Sequence, residues 1–448
     1  CGILVVLSLV LVNVASASSP FSPLLFVNQR RGETRHNKNT KVQNAEKLRG
    51  GGESASPPPP PKENIDWDSF GFGLNGVSTD YMWVDTIDAC SSSSSSDAQE
   101  EQEEEYYYSK NDELNLQPLK ALQIHPAATV LNYGQALFEG CKAFRRNDGS
   151  LALFRPDRNA ARMQLGAKRI LLPPVPTDVF VHAAKRVVQA NAQWVPPLNK
   201  GALYLRPLLM GTGAQLGVAP SPSSTFCIYA SPVGNYFKGK GLRCLTLRAV
   251  TEYTRAAPGG AGGIKAAGNY APAFLPQSIV KQEGYDEALF LDAVSHSYIE
   301  EAGASNFFCY MAHNATLVTP PLSEGTILPG VTRESIMILA RDECNLVVQE
   351  RPLSLQEVRE YGTEAFCCGT GASIAPVGCI VTVDNEDETT TSMILFNRAK
   401  NRKQCKAGPM TTKLYHMLRD IQMGTASSEL QERYSSWIQI IEPAPTTD

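Results

Sequence analysis

Short runs of aliphatic, β-branched and aromatic residues recur along most of the chain, separated by polar or Gly/Pro-rich stretches. Such runs, bounded by turn residues, are typical of β-strands. The pattern predicts strands at Tyr81–Asp88, Ser150–Phe154, Ala202–Met210, Thr225–Ala230, Leu245–Val250, Ala288–Asp292 and Asn306–Met311. Apolar residues at helical spacing are less frequent, so strands dominate the predicted elements.

Three segments carry apolar residues at the spacing of a helix. Thr177 is predicted to cap the first of them. Ser354 and Glu357 form a capping-box pattern at the start of the second. The third covers residues 414–421 and is predicted to end at Gly424, because glycine readily adopts the left-handed conformation that terminates helices.

The order of these elements indicates the fold class and the domain organisation. Strands that do not alternate regularly with helices favour an α+β fold over a doubly wound parallel sheet. The turn at Pro232–Asn235 separates two strand-rich halves, and the chain has no internal repeat. We therefore predict a small N-terminal domain at residues 64–233, an interdomain loop at 234–242 and a large C-terminal domain at 243–448.

Two segments are predicted to lie outside the packed domains. Residues 1–63 are predicted to be a targeting presequence and a disordered linker, because the apolar run Ile3–Val12 is followed by the basic segment Ser19–Arg49 and then by a Gly/Pro tract. This order is similar to the two-part plastid presequence of algae with secondary plastids. A secretory signal or a mitochondrial address are the alternatives. The polar and acidic run at 91–110 predicts a solvated insertion.

Composition and charge exclude several classes of protein. The 448 residues include 41 Lys and Arg against 45 Asp and Glu, for a formal net charge of −4. This balance does not suit a protein that binds the phosphate backbone of a nucleic acid. The eleven cysteines form no Cys-x-x-Cys pair, so we predict no metal site and no disulfide framework. The mature protein is expected to be free of the membrane.

The first candidate for chemistry is Lys265, in the sequence GGIKAAGNYAP at Gly262–Pro272. No acidic residue lies near it in sequence, and its neighbours are small and mostly apolar. Burial disfavours the ammonium form of lysine, and a neutral amine attacks aldehydes, as a Schiff-base lysine must. A turn lysine that points into water is the alternative.

A candidate anion site follows at Leu328–Ala340, where Pro-Gly precedes an amphipathic run. The free N–H groups at such a helix start, here near Val331 and Thr332, are suited to bind phosphate. Arg162 is a candidate second ligand, since guanidinium binds phosphate with two parallel hydrogen bonds. The alternatives are an ordinary loop-to-helix junction and a surface arginine.

An acidic pair, Glu300 and Glu301, precedes a small-residue loop and an apolar strand. A carboxylate in this position could pair with the ring nitrogen of a cofactor and keep it protonated. The alternative is that one or both residues lie in a solvated turn.

Several ungapped motifs, in order along the chain, resemble the branched-chain amino acid aminotransferases of plants and algae. These motifs lie at Tyr133–Met163, Leu203–Val218, Ser231–Phe237, Gly259–Pro272, Glu300–Asn306 and Thr326–Ile336. The resemblance extends from about residue 66 to the last helix. It implies fold type IV, related to D-amino acid aminotransferase, with a smaller N-terminal α/β domain and a larger C-terminal domain that contains a barrel-like sheet.

The resemblance also implies that the cofactor is pyridoxal 5'-phosphate. Lys265 would form the Schiff base and act as the catalytic residue, Tyr270 would bond to the phenolate oxygen, and Glu301 would pair with the pyridine nitrogen. The full set of cofactor-binding residues implied in this way is Arg162, Lys265, Tyr270, Glu301, Val331, Thr332 and Thr370.

On the substrate side, Tyr204 would bind the amino-acid carboxylate with support from Arg206, and Tyr133 and Val218 would come from the neighbouring subunit. The substrate-binding residues implied by the resemblance are Tyr133, Phe138, Gly140, Tyr204, Arg206, Val218, Tyr236, Thr370 and Gly371. The sequence departs from its relatives at Ala304, where they often carry Ser or Thr, and at Gly371, where they usually carry Ala.

The implied activity is transfer of an amino group between L-leucine, L-isoleucine or L-valine and 2-oxoglutarate, in the synthesis or breakdown of branched-chain amino acids. The partners are therefore small amino acids and 2-oxo acids, and the implied assembly is a homodimer. A D-amino acid aminotransferase or an aminodeoxychorismate lyase on the same fold is the alternative enzyme. A paralogue that binds pyridoxal phosphate without turnover is the alternative without catalysis.

Overall fold

A computed structural model of the protein describes residues 57–88, 108–236, 242–383 and 391–442. The strands within these ranges are β1 (Tyr81–Asp88), β2 (Leu116–Pro118), β3 (Ala136–Phe138), β4 (Cys141–Arg145), β5 (Leu151–Phe154), β6 (Ala202–Gly211), β7 (Ser223–Val233), β8 (Leu245–Val250), β9 (Glu287–Leu291), β10 (Ile299–Ala302), β11 (Ser305–Met311), β12 (Thr316–Thr319), β13 (Val347–Glu350), β14 (Glu364–Gly369), β15 (Ser373–Val383), β16 (Thr391–Leu395) and β17 (Ile438–Ile441). Each of the seven predicted strands is present, with bounds that shift by at most a few residues.

The α-helices within the same ranges are α1 (Asp112–Asn115), α2 (Thr129–Tyr133), α3 (Pro156–Arg169), α4 (Thr177–Ala190), α5 (Phe274–Gln282), α6 (Val331–Asp342), α7 (Leu355–Tyr361), α8 (Pro409–Met423) and α9 (Ser428–Arg433). The three predicted helices correspond to α4, α7 and α8. None of the helices in the described ranges is long and apolar enough to cross a bilayer.

The helix ends agree with the sequence in two cases of three. The hydroxyl of Ser354 accepts the N–H of Glu357 at 3.0 Å, as a capping box requires. Gly424 closes α8 with a left-handed φ of 69°. Thr177 is wrong as a cap, because it is already helical and Pro176 precedes it without a side-chain hydrogen bond.

The first sheet is antiparallel throughout, in the order β17-β5-β4-β6-β7-β1-β2, and β3 pairs with the end of β6. Helices α3 and α4 contribute Ala160, Phe180 and Val187 to the core that also includes residues of this sheet. The last strand, β17, pairs with β5, so the chain returns to this sheet after the second one is complete. The domain bounds inferred from the sequence stay a prediction.

The second sheet closes on itself. Strands β10, β9, β8, β15, β14 and β11 follow one another by hydrogen bonding, and β11 pairs again with β10, which makes a six-stranded barrel. Strands β12, β13 and β16 extend it. Its core is apolar and includes Leu247, Phe307 and Ile380, all inaccessible to solvent. The predicted α+β fold with a barrel-like sheet is thus confirmed.

Residues 1–56 of the predicted presequence and linker lie outside the described residues, as does most of the predicted insertion at 91–110. Residues 57–63 are described, and the N–H of Lys62 donates to the carbonyl of Gln193 at 2.8 Å. The interdomain loop is described at 234–236 and at 242.

Candidate functional site

The backbone around Lys265 is fixed to the first sheet. The carbonyl of Lys265 accepts the N–H of Phe138 at the end of β3, at 3.2 Å, and the next residue forms a bridge with Leu137. Gly262 permits a close approach to Thr326, because a Cβ at this position would lie 2.6 Å from that carbonyl oxygen. The glycines of this segment therefore let it pack against the loop that precedes α6.

The amine of Lys265 lies in an apolar and aromatic environment. Its Nζ donates to the hydroxyl of Tyr270 at 2.9 Å and lies 4.5 Å from the ring centre of Phe138. Burial, with the nearby Arg162 guanidinium, lowers the pKa of Lys265 to about 7. Burial and the Glu301 carboxylate raise the pKa of Tyr270 to about 12. At neutral pH a large fraction of the amine is therefore uncharged beside a protonated phenol.

Lys265 lines a cavity of about 430 Å³ between the first sheet and the barrel. Thirteen of the fifteen candidate site residues line it: Phe138, Gly140, Arg162, Tyr204, Arg206, Tyr236, Lys265, Tyr270, Glu301, Val331, Thr332, Thr370 and Gly371. A cavity of several hundred cubic ångströms with a few convergent polar groups is typical of a cofactor or small-molecule site.

Glu301 is buried on β10 and held by three donors. Its carboxylate pairs with Arg255 at 2.5 Å and accepts the N–H of Leu328 at 3.0 Å and the amide of Asn306 at 3.2 Å. Burial raises the pKa of Glu301, whereas the Arg255 guanidinium favours the ionised form. These bonds fix an acidic side chain at the wall of the cavity. The other member of the pair, Glu300, does not line it.

Arg162 and the start of α6 form a second polar region of the cavity. The guanidinium makes two hydrogen bonds with the fully buried Glu139, at 2.8 and 2.7 Å, and a third with the carbonyl of Pro329 at 3.0 Å. The first hydrogen bond that closes α6 comes from the N–H of Glu334, so the amides of Val331 and Thr332 have no partner within the helix. Together these groups are suited to bind an anion.

A third polar region surrounds Tyr204. Its hydroxyl lies 3.4 Å from a guanidinium nitrogen of Arg206, which stacks over Phe138 with 4.9 Å to the ring centre. The neighbouring turn after β14 is bonded to the N-terminal half: Thr370 donates to the carbonyl of Gly140 at 3.1 Å. This arrangement places a phenol, a guanidinium and a turn with backbone amides on one side of the cavity.

Two candidate residues do not line the cavity. The side chain of Tyr133 is 44% exposed and donates to the carbonyl of Leu216 at 2.5 Å, and Val218 is 91% exposed. The segment around Leu216, itself 89% exposed, therefore presents large apolar side chains to solvent in the isolated chain.

Sequence reasoning missed three residues that organise this site. Glu139 lies between Phe138 and Gly140 in the recognised motif, and its position beside two candidate residues was an available signal. No feature of the sequence pointed to Arg255 or Phe72, because a contact between distant segments leaves no periodic pattern. Phe72 lines the cavity and contacts Tyr204 edge to face, with 5.1 Å between ring centres.

The two glycines of the substrate side are expected to differ sharply in tolerance to alanine. A Cβ at Gly140 would lie 1.9 Å from the Tyr204 hydroxyl, whereas one at Gly371 meets only the Phe72 ring, at 3.5 Å or more. We expect Gly140→Ala to raise KM for the amino acid by about tenfold or more, as displacement of a bound group by an ångström does. Gly371→Ala should stay within about twofold of the parent enzyme, since its new contact is of ordinary van der Waals length.

Steady-state kinetics on the two purified variants check this expectation. Gly371→Ala serves as the matched control, because both substitutions add one methyl group to the same cavity. Equal KM values for the two variants would contradict the close packing of Tyr204 on Gly140.

Comparison with known proteins agrees with the geometry. The family model described as amino-transferase class IV matches residues 136–380. The chain is 45% identical over 331 residues to branched-chain-amino-acid aminotransferase 2, chloroplastic, of Arabidopsis thaliana, which covers 73% of this chain and 78% of that protein. It is 45% identical over 317 residues to the mitochondrial branched-chain amino acid aminotransferase 1 of Humulus lupulus. This match covers 71% of this chain and 74% of that protein.

A solved structure is similar as well. The branched-chain aminotransferase of Thermoproteus uzoniensis with norvaline superposes with a TM-score of 0.59 and 27% identity, covering 73% of this chain and 96% of that one. The family match includes every residue that lines the cavity except Phe72. The chain therefore belongs to the class IV aminotransferases, within the branch of the branched-chain-amino-acid aminotransferases.

Proposed function

We propose that this protein transfers an amino group between L-leucine, L-isoleucine or L-valine and 2-oxoglutarate, with pyridoxal phosphate attached at Lys265. The observation that carries the proposal is the environment of Lys265: an amine with a pKa of about 7, 2.9 Å from the Tyr270 hydroxyl, inside the cavity that Arg162 and Glu301 also line. A lysine with a lowered pKa in an enclosed cavity is suited to react with an aldehyde.

The residues present fit pyridoxal phosphate at each of its functional groups. The amides of Val331 and Thr332 and the free N–H groups of Arg162 would hold the phosphate, since only three of the five guanidinium N–H groups are used by protein acceptors. Glu301, which Arg255 favours in its ionised form, would pair with the ring nitrogen. Thr370 would contribute from the turn after β14.

When bound, pyridoxal phosphate supplies an electron-withdrawing ring that makes the Cα–H bond of the amino acid acidic. Lys265 accepts that proton and later returns one to the product, a role that suits an amine whose pKa lies near the working pH. The hydroxyl of Tyr270 positions the amine by its hydrogen bond. The rings of Phe138 and Tyr270 flank the amine and reduce its contact with water.

The substrate side would bind an amino acid by its two ends. Tyr204, with Arg206 beside it, and the backbone amides at Thr370 and Gly371 would bind the carboxylate. Apolar walls at Phe138 and Tyr236 would contact the branched side chain, and Gly140 leaves the space that Tyr204 occupies. Burial of each methyl group of a leucine or valine side chain contributes roughly 1 kcal/mol.

Assembly as a homodimer forms part of the proposal. Tyr133 and Val218 would line the cavity of the second subunit, which accounts for apolar side chains that are exposed in a single chain. Sedimentation analysis of the parent protein and of Val218→Asp checks this assignment. A monomeric parent enzyme with full activity would contradict it.

We propose that the protein is imported into plastids, and mitochondrial import is the alternative. The relatives named above include one chloroplastic and one mitochondrial protein. A fusion of residues 1–63 to a fluorescent protein, expressed in an alga with secondary plastids, should colocalise with chlorophyll. Fluorescence that remains in the secretory pathway or enters mitochondria would contradict this address.

The first test of the reaction is the visible absorbance of the holoenzyme. L-Leucine should change the cofactor band, and D-alanine should leave it unchanged, because the proposed substrate is an L-amino acid. A band that responds only to D-alanine would move the activity to the D-amino acid branch of the fold. A band that responds to neither would contradict transamination of these amino acids.

The lowered pKa of Lys265 predicts how cofactor loading depends on pH. Only the uncharged amine reacts with an aldehyde, and its fraction rises about tenfold between pH 6 and pH 8 for a pKa of about 7. The rate of covalent pyridoxal phosphate uptake by the apoenzyme should rise by the same factor, followed by borohydride trapping and mass spectrometry at Lys265. A rate that still rises tenfold per pH unit above pH 8 would indicate an unshifted lysine.

A further inference from the structure

A second, much smaller cavity lies behind the turn after β14. Its volume is about 30 Å³, and its lining includes Lys142 from β4, Arg419 and Tyr415 from α8, and the segments at 234–236 and 371–373. This volume suffices for one or two water molecules or a halide ion and is too small for phosphate. No acidic side chain from the described part of the chain lines it.

The two cations at this cavity have neutral oxygen partners. Lys142 donates to the carbonyl of Gly371 at 2.7 Å. Arg419 donates to the side chains of Asn235, Tyr415 and Asn199 at 3.2 to 3.4 Å. Neither takes part in a salt bridge with an acidic residue among the described ranges. Two partly buried cations that face one small cavity without a counter-charge are electrostatically unfavourable.

From this arrangement we infer that Lys142 and Arg419 bind a small monovalent anion, of the size of chloride, in this cavity. The anion neutralises the repulsion between the two cations and uses N–H groups that the protein acceptors leave free. The site is separate from the proposed phosphate site, which Arg162 and α6 form in the large cavity.

Because of the position of this site, we expect the anion to affect substrate binding. This expectation rests on the proposed function. Lys142 holds the carbonyl of Gly371, in the turn whose amides would bind the substrate carboxylate. Burial and the positive charge of Arg419 lower the pKa of Lys142 to about 7, and the other titratable side chains that line the cavity are the phenols of Tyr236 and Tyr415. As the pH rises through 7, Lys142 therefore loses the charge that strengthens its bond to the turn, unless an anion stabilises the protonated form.

The size of the effect follows from the protonated fraction of Lys142. An anion at hydrogen-bonding distance raises a neighbouring pKa by about one unit or more. For a shift from about 7 to about 8, the protonated fraction at pH 8 rises about fivefold, while at pH 6 it changes by about a tenth. Chloride should thus lower KM for L-leucine about fivefold at pH 8 and leave it nearly unchanged at pH 6.

Two measurements on the full-length holoenzyme test the inference. Crystals soaked in sodium bromide should show an anomalous peak between Lys142 and Arg419, and Arg419→Gln should abolish it. KM for L-leucine should be titrated with chloride at constant ionic strength, with gluconate as the balancing anion because it is too large for the cavity. Arg359→Gln, which removes an arginine of α7 outside this cavity, is the matched control and should keep the chloride response.

The outcomes separate the anion site from the reaction. The bromide peak requires no turnover, so its absence in the parent crystal would overturn the anion site even if the enzyme transaminates leucine. A bromide peak with a chloride-independent KM would overturn the coupling to the turn. A chloride response that persists in Arg419→Gln would assign the effect to another site and overturn the inference.

Discussion

Replacement of Lys265 by alanine is expected to lower the rate of transamination of L-leucine by at least about 10³-fold. The variant loses the proposed covalent attachment point of the cofactor and the candidate base that donates to the Tyr270 hydroxyl at 2.9 Å. Positioned general bases alone contribute about 10² to 10⁴ in rate. The measurement is a coupled assay of glutamate formation from L-leucine and 2-oxoglutarate. Borohydride trapping should no longer label the peptide at 262–272.

The matched control for this variant is Lys281→Ala, which removes an exposed lysine of α5. Its activity should equal that of the parent enzyme. Circular dichroism of Lys265→Ala should be unchanged, because the backbone bond from Phe138 to position 265 does not depend on the side chain. Activity of Lys265→Ala within tenfold of the parent would contradict the proposed mechanism.

Local sequence patterns were sufficient to predict the parts of this site that are formed by residues close together in the sequence. Lys265 and Tyr270 belong to one short loop, and the structure joins them by a single hydrogen bond. The helix start at Val331 was visible as Pro-Gly ahead of an amphipathic run, and α6 begins at that residue. Each of these features is encoded by residues within about ten positions of one another.

Features that join distant segments were not predictable in the same way. Arg255 pairs with Glu301 from a loop whose sequence has no periodicity. The short strand β17 pairs with β5 across most of the chain. Its four residues, IQII, are apolar enough for a strand, but a run this short does not identify a distant partner. The closure of the barrel depends on the pairing of β10 with β11 at two positions only. Such contacts are decided by tertiary packing rather than by local propensity.

Glu139 illustrates the same limit at a single residue. An acid beside a glycine in a motif has the composition of a turn, yet its side chain is completely buried and receives bonds from Arg162 and Asn159. Burial of this carboxylate is tolerable only because four N–H groups converge on it: two from the guanidinium, one from the Asn159 amide and one from the backbone of Gly140. Its two bonds with the guanidinium fix the orientation of Arg162, the residue that we propose binds the cofactor phosphate.

Removal of this carboxylate should therefore be among the most destabilising substitutions in the protein. Glu139→Ala leaves the Arg162 guanidinium buried without its counter-charge, and loss of one partner of a buried pair costs about 3 to 5 kcal/mol. Urea denaturation of the apoenzyme measures this cost without the contribution of bound cofactor. Glu429→Ala, which removes the carboxylate from an exposed pair with Arg433, is the matched control and should cost less than about 1 kcal/mol.

A double-variant cycle with Arg162→Met distinguishes the loss of the ion pair from a simple packing defect. If the unpaired charge is the cause, the Glu139→Ala/Arg162→Met double variant should be more stable than Glu139→Ala alone, because no buried charge then lacks a partner. If the losses in free energy of unfolding of the two single variants add in the double variant, the effect is instead due to lost side-chain volume. In either case pyridoxal phosphate should dissociate more readily from Glu139→Ala than from the parent, since an arginine released from its two bonds to Glu139 is no longer aimed at the start of α6.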